Sequence, residues 1–287
     1  MAKTTGQPTL EKKPLQKEIN LDGIILSYKD NGVNGDPIVF FHRSSLSSDS
    51  FENQFTAKEF QKYRMLAPDM PGHGNSKPAK EPEIFYTLEA LTQIMVNWIE
   101  KLDIKNAFFV GHSTGAHVLM NAWPQISQRA KGLVIFGAPP FSENNKLEDS
   151  HYGHPDYALT QQSKLNTDEV SRIAKLFVKK GSELDNLLIQ SIKKADPAMR
   201  SILAESITMH SVMGNESENI KNLTQPIAIF QGRYDKILKR TYFDKLEIPT
   251  LWRKKVQLID NAGHCPQIEN PEQFNQLIQQ FLIDQVI

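Results

Sequence analysis

Apolar residues along the chain gather in short unbroken runs, notably Ile38-Val39-Phe40-Phe41, Ala107-Phe108-Phe109-Val110 and Ile227-Ala228-Ile229-Phe230, with a fourth at Val256-Gln257-Leu258-Ile259. A strand buried on both faces shows such a run, and strands of this kind belong to parallel sheets covered by helices. Two further strands are expected at Tyr63–Ala67 and Leu133–Gly137. Residues 16–29 instead alternate apolar and polar around Asp22-Gly23, which predicts an antiparallel hairpin. Helical stretches are expected at about 49–62, from Thr87 to Leu102, from near Ser113 to Trp123, and near 239–246. A closing helix has Asn270 as N-cap, Pro271 at the first helical position and Gln273 at the third.

The alternation of strand and helix stops after Ala138-Pro139-Pro140 and resumes near Gln225. Between them, Val170, Ile173 and Phe177, then Leu184, Leu187 and Leu188, then Ile202, Leu203 and Ile207 repeat at helical spacing. The expected organisation is therefore a disordered tail over 1–15, a core formed by 16–138 and 225–287, and a helical lid over 139–224 between the sixth and seventh strands. No internal repeat is present.

The bulk numbers narrow the function classes. Of the 287 residues 39% are hydrophobic and 23% charged, the balance of a globular protein. Lys plus Arg and Asp plus Glu both total 33, so no global charge draws the chain to nucleic acid or anionic lipid. No apolar stretch approaches the roughly 20 residues that span a bilayer, and the polar N-terminus lacks the apolar centre of a secretory signal. A single cysteine, Cys265, permits no internal disulfide; together these features lead to the expectation of a cytoplasmic protein.

The chemistry is concentrated at three turns, each just after an apolar run. Gly111-His112-Ser113-Thr114-Gly115 is Gly-x-Ser-x-Gly between a strand and a helix, the context in which the serine hydroxyl is lifted out of a sharp turn. A serine hydroxyl needs a base, and the base needs an orienting group. Gln231-Gly232-Arg233-Tyr234-Asp235 supplies an acid, and Asp260-Asn261-Ala262-Gly263-His264-Cys265-Pro266 supplies a histidine. Asp260 is the rival acid, read here as a turn residue. Asp69 and His73 are expected to brace their loop, and His112 to support the nucleophile turn. His151-Tyr152-Gly153-His154 has two histidines three apart with no third ligand, so no metal site is expected.

These residues resemble the α/β-hydrolase superfamily over essentially everything after residue 16. The likeness rests on His42 with its Ser-rich loop, Asp69-Met70-Pro71-Gly72-His73-Gly74-Asn75-Ser76, the Ser113 elbow, Gly232–Asp235 and Gly263-His264. The order serine, acid, histidine is that of this superfamily. Gly137-Ala138-Pro139-Pro140, Gln225-Pro226-Ile227-Ala228 and the run from Leu251-Trp252 through Pro266 are similar to the N-acyl homoserine lactonase branch. The resemblance implies a mostly parallel eight-stranded sheet with helices on both faces, and a Ser113–Asp235–His264 triad. It also implies an oxyanion hole from the backbone N–H groups of Ser44 and Thr114. It departs at Arg43, where the pattern carries glycine, and at Ala116-His117. The implied activity is serine-dependent opening of a carboxylic ester or lactone, with N-acyl homoserine lactone as the leading substrate and no cofactor. A general carboxylesterase and a ligand receptor that keeps the triad are the alternatives. Arg43, Phe141 and Tyr157 are candidate substrate contacts, and the lid further offers Tyr152, Phe177, Met199, Met209 and Met213 to an acyl chain.

Overall fold

A computed structural model describes residues 14–142, 147–182, 186–213 and 215–285, the side chains of 210–213 excepted. Eight strands form one sheet: β1 (Leu15–Leu21), β2 (Ile24–Asp30), β3 (Pro37–Phe41), β4 (Arg64–Pro68), β5 (Ala107–His112), β6 (Ala130–Phe136), β7 (Ile227–Gly232) and β8 (Gln257–Ile259). Their spatial order is β1-β2-β4-β3-β5-β6-β7-β8. The hairpin pairs Leu21 with Ile24 across Asp22-Gly23, and β2 meets β4 antiparallel. Every contact from β4 to β8 is parallel. The tail expected over 1–15 is shortened at its end, since β1 begins at Leu15, whose partner is Asp30; residues 1–13 of it lie outside the described residues.

The unbroken apolar runs are explained by two cores, one on each face of the sheet. Val39 and Phe41, Phe109, Leu133 and Ile135, Ile227 and Ile229 point into one. Ile38 and Phe40, Phe108 and Val110, Val134 and Phe136, Ala228 and Phe230 point into the other. The helix Leu88–Lys101, capped by the Thr87 hydroxyl, covers the first face and buries Trp98 edge-on against Tyr28 and Phe41. The closing helix Pro271–Asp284 covers the second, with Asn270 accepting from the Gln273 N–H as expected, and Phe281 packed on Phe108 and Trp252.

Two expected helices are shorter in the structure. The stretch 49–62 breaks into the turns Ser48–Phe51, Glu52–Phe55 and Lys58–Phe60. There the Thr56 hydroxyl donates to the Glu52 carbonyl and the Gln61 amide to those of Phe55 and Ala57, so side chains supply what a continuous helix would. The stretch 239–246 forms the single turn Arg240–Phe243. Between β6 and β7 the described residues are helical, with helices Thr167–Phe177, Asn186–Lys194, Pro197–Met213 and Glu216–Lys221. Asn166 and Glu169 form a reciprocal capping box at the first of these.

The helix after β5, Thr114–Ile126, starts against the end of β3. A Cβ added at Gly115 would lie 2.3 Å from the Phe41 carbonyl oxygen and 2.7 Å from that of His42. Only glycine lets the two backbones come so close. Gly115→Ala is expected to cost about 1–3 kcal/mol through overpacking, read as a lower urea midpoint with an unchanged denaturant slope.

Candidate active site

Ser113 joins β5 to its helix with φ 49° and ψ −113°, a conformation that L-residues rarely adopt. Strain of this kind costs about 1–3 kcal/mol and persists only where its surroundings enforce it. Here the Ser113 N–H donates to the Phe136 carbonyl of β6 at 2.8 Å, and its own carbonyl accepts from the Ala116 and His117 N–H groups. Held at both ends, the backbone must carry the hydroxyl up and away from the sheet.

The acid and the histidine arrive on the loops after β7 and β8. His264 Nδ1–H donates to Asp235 Oδ2 at 2.8 Å, which leaves Nε2 as the free ring nitrogen. Asp235 Oδ1 accepts from the backbone N–H groups of Ile237 and Leu238. Burial opposes its charge, yet the His264 ring and these N–H donors together hold its carboxyl below the usual range. The His264 backbone is fixed as well. Its N–H donates to the Phe177 carbonyl at 2.8 Å, and its carbonyl accepts from His112 Nε2–H at 2.8 Å. His112 accepts in turn from the Gln267 amide and stacks on Phe136 at 4.5 Å, so it supports the site from behind. Asp260, the rival acid, is exposed and pairs with Arg233.

The loop after β3 is pinned through one peptide group. The Arg43 carbonyl accepts from His42 Nδ1–H at 2.8 Å and from the Leu46 N–H at 3.2 Å. Because the peptide is planar and trans, the Ser44 N–H must point the opposite way. Neither that N–H nor the Thr114 N–H has an acceptor among the described residues. The left-handed position of the loop is Ser45, φ 66°, and not Arg43, so an arginine Cβ fits where glycine is customary. Asp69 braces the neighbouring loop by accepting from the Ser48 and Asn75 N–H groups.

One cavity is lined by Ser113, His264, Ser44, Thr114, Arg43, Phe141 and Tyr157, with Asp235 directly behind His264. Of the other expected lid contacts, Phe177 and Met199 are buried off the lining, whereas Tyr152 and Met209 are exposed. The Met213 side chain lies outside the described residues. The apolar wall comes instead from Leu147, Leu203, Ile207 and Ile237. Sequence reasoning also missed His117, which lines the cavity, stacks on Phe141 at 4.6 Å, and donates through Nδ1 to the fully buried Glu216 at 2.9 Å. Asn121 and the Phe141 N–H complete that carboxylate's donors. The available signal was His117 in the first turn of the helix that follows the nucleophile turn, where its N–H donates to the Ser113 carbonyl.

Burial depresses the imidazoles beneath the site: His42 to about 4, with Met70 N–H donating to its Nε2, and His73 to about 3. His151, on the cavity lining, is likewise lowered by burial to about 4. Against an ordinary value of 6.5, the unfolded chain therefore binds more protons below about pH 6.5 than the folded one. The stability they contribute is complete above that pH and falls as pH drops toward 4, at about 1.4 kcal/mol per unit of depression. Thermal melts from pH 7 to 4 should show a steadily falling Tm; a flat profile would contradict the neutral, buried assignment.

Comparison with known proteins agrees with this geometry. The α/β hydrolase fold family model matches residues 36–271. A non-heme chloroperoxidase, CPO-A1 of Kitasatospora aureofaciens, is 33% identical over 256 residues, 84% of this chain and 86% of that protein. The match to the non-heme chloroperoxidase of Streptomyces lividans is local, 33% over 124 residues, so it covers 42% of this chain and 43% of that relative. Among solved structures, N-acyl homoserine lactonase AidH complexed with N-butanoyl homoserine superposes with a TM-score of 0.87 at 26% identity, covering 95% of this chain and 97% of that one. By family match, by sheet order and by the strained serine after its fifth strand, the chain belongs to the α/β-hydrolase fold family.

Proposed function

We propose that the chain is a serine hydrolase of carboxylic esters and lactones, with Ser113 as nucleophile, His264 as general base and Asp235 as its orienting acid. The observation that carries this reading is the convergence on one cavity of a strained serine and a histidine whose far nitrogen is held by a buried carboxylate. His264 Nε2 takes the Ser113 proton as the hydroxyl oxygen attacks the carbonyl carbon. Asp235 keeps the imidazole in the right tautomer and stabilises the imidazolium. The negative charge that develops on the carbonyl oxygen meets the Ser44 and Thr114 N–H groups, each of a kind whose loss typically costs about 3–4 kcal/mol. The imidazolium then protonates the leaving alkoxide, and a water activated by His264 releases the acyl group. In a lactone the leaving alcohol stays tethered, so the product is one hydroxy acid. No metal or organic cofactor enters these steps.

N-acyl homoserine lactone is the leading substrate, supported by likeness to AidH over nearly the whole chain. The helical insertion would act as the lid, and its Leu203 and Ile207 with Phe141 and Ile237 offer an apolar wall for the acyl chain. These groups recognise a carbonyl and a hydrocarbon chain, which open-chain esters share, so a general carboxylesterase is the second reading.

Purified protein assayed on N-acyl homoserine lactones and para-nitrophenyl esters of graded chain length separates the two. Lactone opening that exceeds ester cleavage and vanishes in Ser113→Ala supports the lactonase. Ester cleavage alone supports the esterase. Tight binding without serine-dependent turnover points to a receptor instead. Asp235→Asn is expected to lower kcat by about 10³–10⁴-fold with little change in KM, because the ring loses its tautomer.

A further inference from the structure

Two arginines line the cavity, and they differ in how their charge is met. Arg200 commits all three nitrogens to backbone carbonyls, of Gln162 at 2.9 Å, Ile192 at 3.2 Å and Ser163 at 2.8 Å. Arg43 is 6% exposed, and its Nε and Nη1 have no hydrogen-bond partner among the described residues. Its guanidinium carbon lies 3.3 Å from the centroid of the Phe177 ring, which supports the plane from below but offers no acceptor at the edges. The polar groups beside it are the Cys265 thiol, which is its side-chain hydrogen-bond partner, and the Tyr157 phenol; both are kept neutral because burial raises them, Cys265 to about 12, so neither supplies a counter-charge. The charge of Asp235 also acts on Arg43, yet both oxygens of that carboxylate are already taken, by His264 and by the Ile237 and Leu238 N–H groups. Glu216 is taken by His117, Asn121 and Phe141, and Glu269, behind Cys265, by the Lys179 and Gly263 N–H groups. A buried cation without a hydrogen-bonded counter-charge is expensive to keep, and native proteins keep such groups where a ligand completes them.

We propose that Arg43 is an anion-binding subsite of this cavity, and that the preferred substrates are esters or lactones bearing a carboxylate which its guanidinium holds. The proposal rests on the serine-hydrolase reading and narrows it, since N-acyl homoserine lactones are uncharged. A carboxylate answers the site better than a neutral carbonyl. A free N–H of the guanidinium can donate to a carboxylate oxygen, and a charge-assisted bond is about twice as strong as a neutral one. Arg43 also precedes the residue whose N–H is the proposed oxyanion donor, so the anion and the scissile carbonyl are held by adjacent residues of one pinned loop.

The test uses two pairs of esters, each with a carboxylate matched against an isopropyl group of the same shape. On the acyl side, the para-nitrophenyl monoester of glutarate is set against the para-nitrophenyl ester of the isopropyl-terminated acid of equal length. On the alcohol side, para-butyryloxybenzoate is set against para-isopropylphenyl butyrate. In at least one pair the wild type should favour the carboxylate at least about tenfold in kcat/KM. Arg43→Met should lower the ratio of kcat/KM for that ester to kcat/KM for its neutral partner by about 10- to 100-fold. A preference for the neutral member in both pairs, a preference that survives Arg43→Met, or faster opening of N-hexanoyl homoserine lactone than of either charged ester would overturn the subsite and leave the hydrolase standing. Calorimetric binding of glutarate and benzoate to Ser113→Ala needs neither turnover nor a change at Arg43. Binding of either anion that weakens with salt supports the subsite even if the hydrolase reading fails, and no binding of either by that folded protein counts against it.

Discussion

An imidazole taken out of water needs a partner at each ring nitrogen, and most of those at this end of the sheet meet that constraint or turn the second nitrogen to the cavity. His73 is the exception, with Nδ1 on the Pro71 carbonyl and a buried Nε2 that has no partner among the described residues. His42 spends Nδ1–H on the Arg43 carbonyl and Nε2 on the Met70 N–H. His112 spends Nε2–H on the His264 carbonyl and Nδ1 on Gln267. Each of these rings is fully satisfied, buried and held neutral, and each fixes the backbone of the loop that it touches. His264 and His117 follow a second pattern, with Nδ1 on a buried carboxylate and the far edge of the ring on the cavity. For these four rings the two patterns divide the labour: the satisfied pair hold loops, and the other pair line the cavity.

Much of this arrangement is legible in the sequence because burial on both faces leaves a plain mark. The runs at 38–41, 107–110 and 227–230 become β3, β5 and β7 within one or two residues, and the turns that follow them carry Ser113 and Asp235. The elbow is legible for a related reason. A turn that requires Ser113 at positive φ and a residue 115 so close to β3 that an added Cβ would lie 2.3 Å from the Phe41 carbonyl oxygen tolerates few sequences, so its pattern is specific. The insertion leaves no such mark. Its helical spacing reports that Ile173 and Phe177 are buried, but not whether they face the cavity or another helix. Glu216 reads as one acid in a polar stretch, Glu216-Ser217-Glu218-Asn219, and only the meeting of two distant helices gives it His117 and Asn121. At Arg43 the strand pattern is silent for a different reason: the residue that must adopt the left-handed conformation is Ser45, so the glycine customary two positions earlier is dispensable here.

The insertion is also bound into the catalytic end more firmly than a detachable flap would be. The Phe177 carbonyl accepts the His264 N–H, and the next loop is held by Glu269, which accepts from both the Lys179 and Gly263 N–H groups. A Cβ at Gly263 would meet the Lys179 nitrogen at 2.7 Å, so the two loops run in direct contact. On the other side, the Tyr86 hydroxyl donates to Asp196 at 2.6 Å, and the Asp196 N–H donates to the Gly72 carbonyl. Lifting the helix Thr167–Phe177 would therefore release the histidine backbone that the reaction needs in place. The helix Pro197–Met213 lines the cavity through Arg200, Leu203 and Ile207 and is held in its own way, by Arg200 on the Gln162, Ser163 and Ile192 carbonyls and by the Ser206 hydroxyl, which accepts from the Leu88 N–H. The insertion is thus tied to this end of the sheet in two places: Phe177 and Lys179 hold the histidine loop, and the helix Pro197–Met213 forms part of the cavity wall.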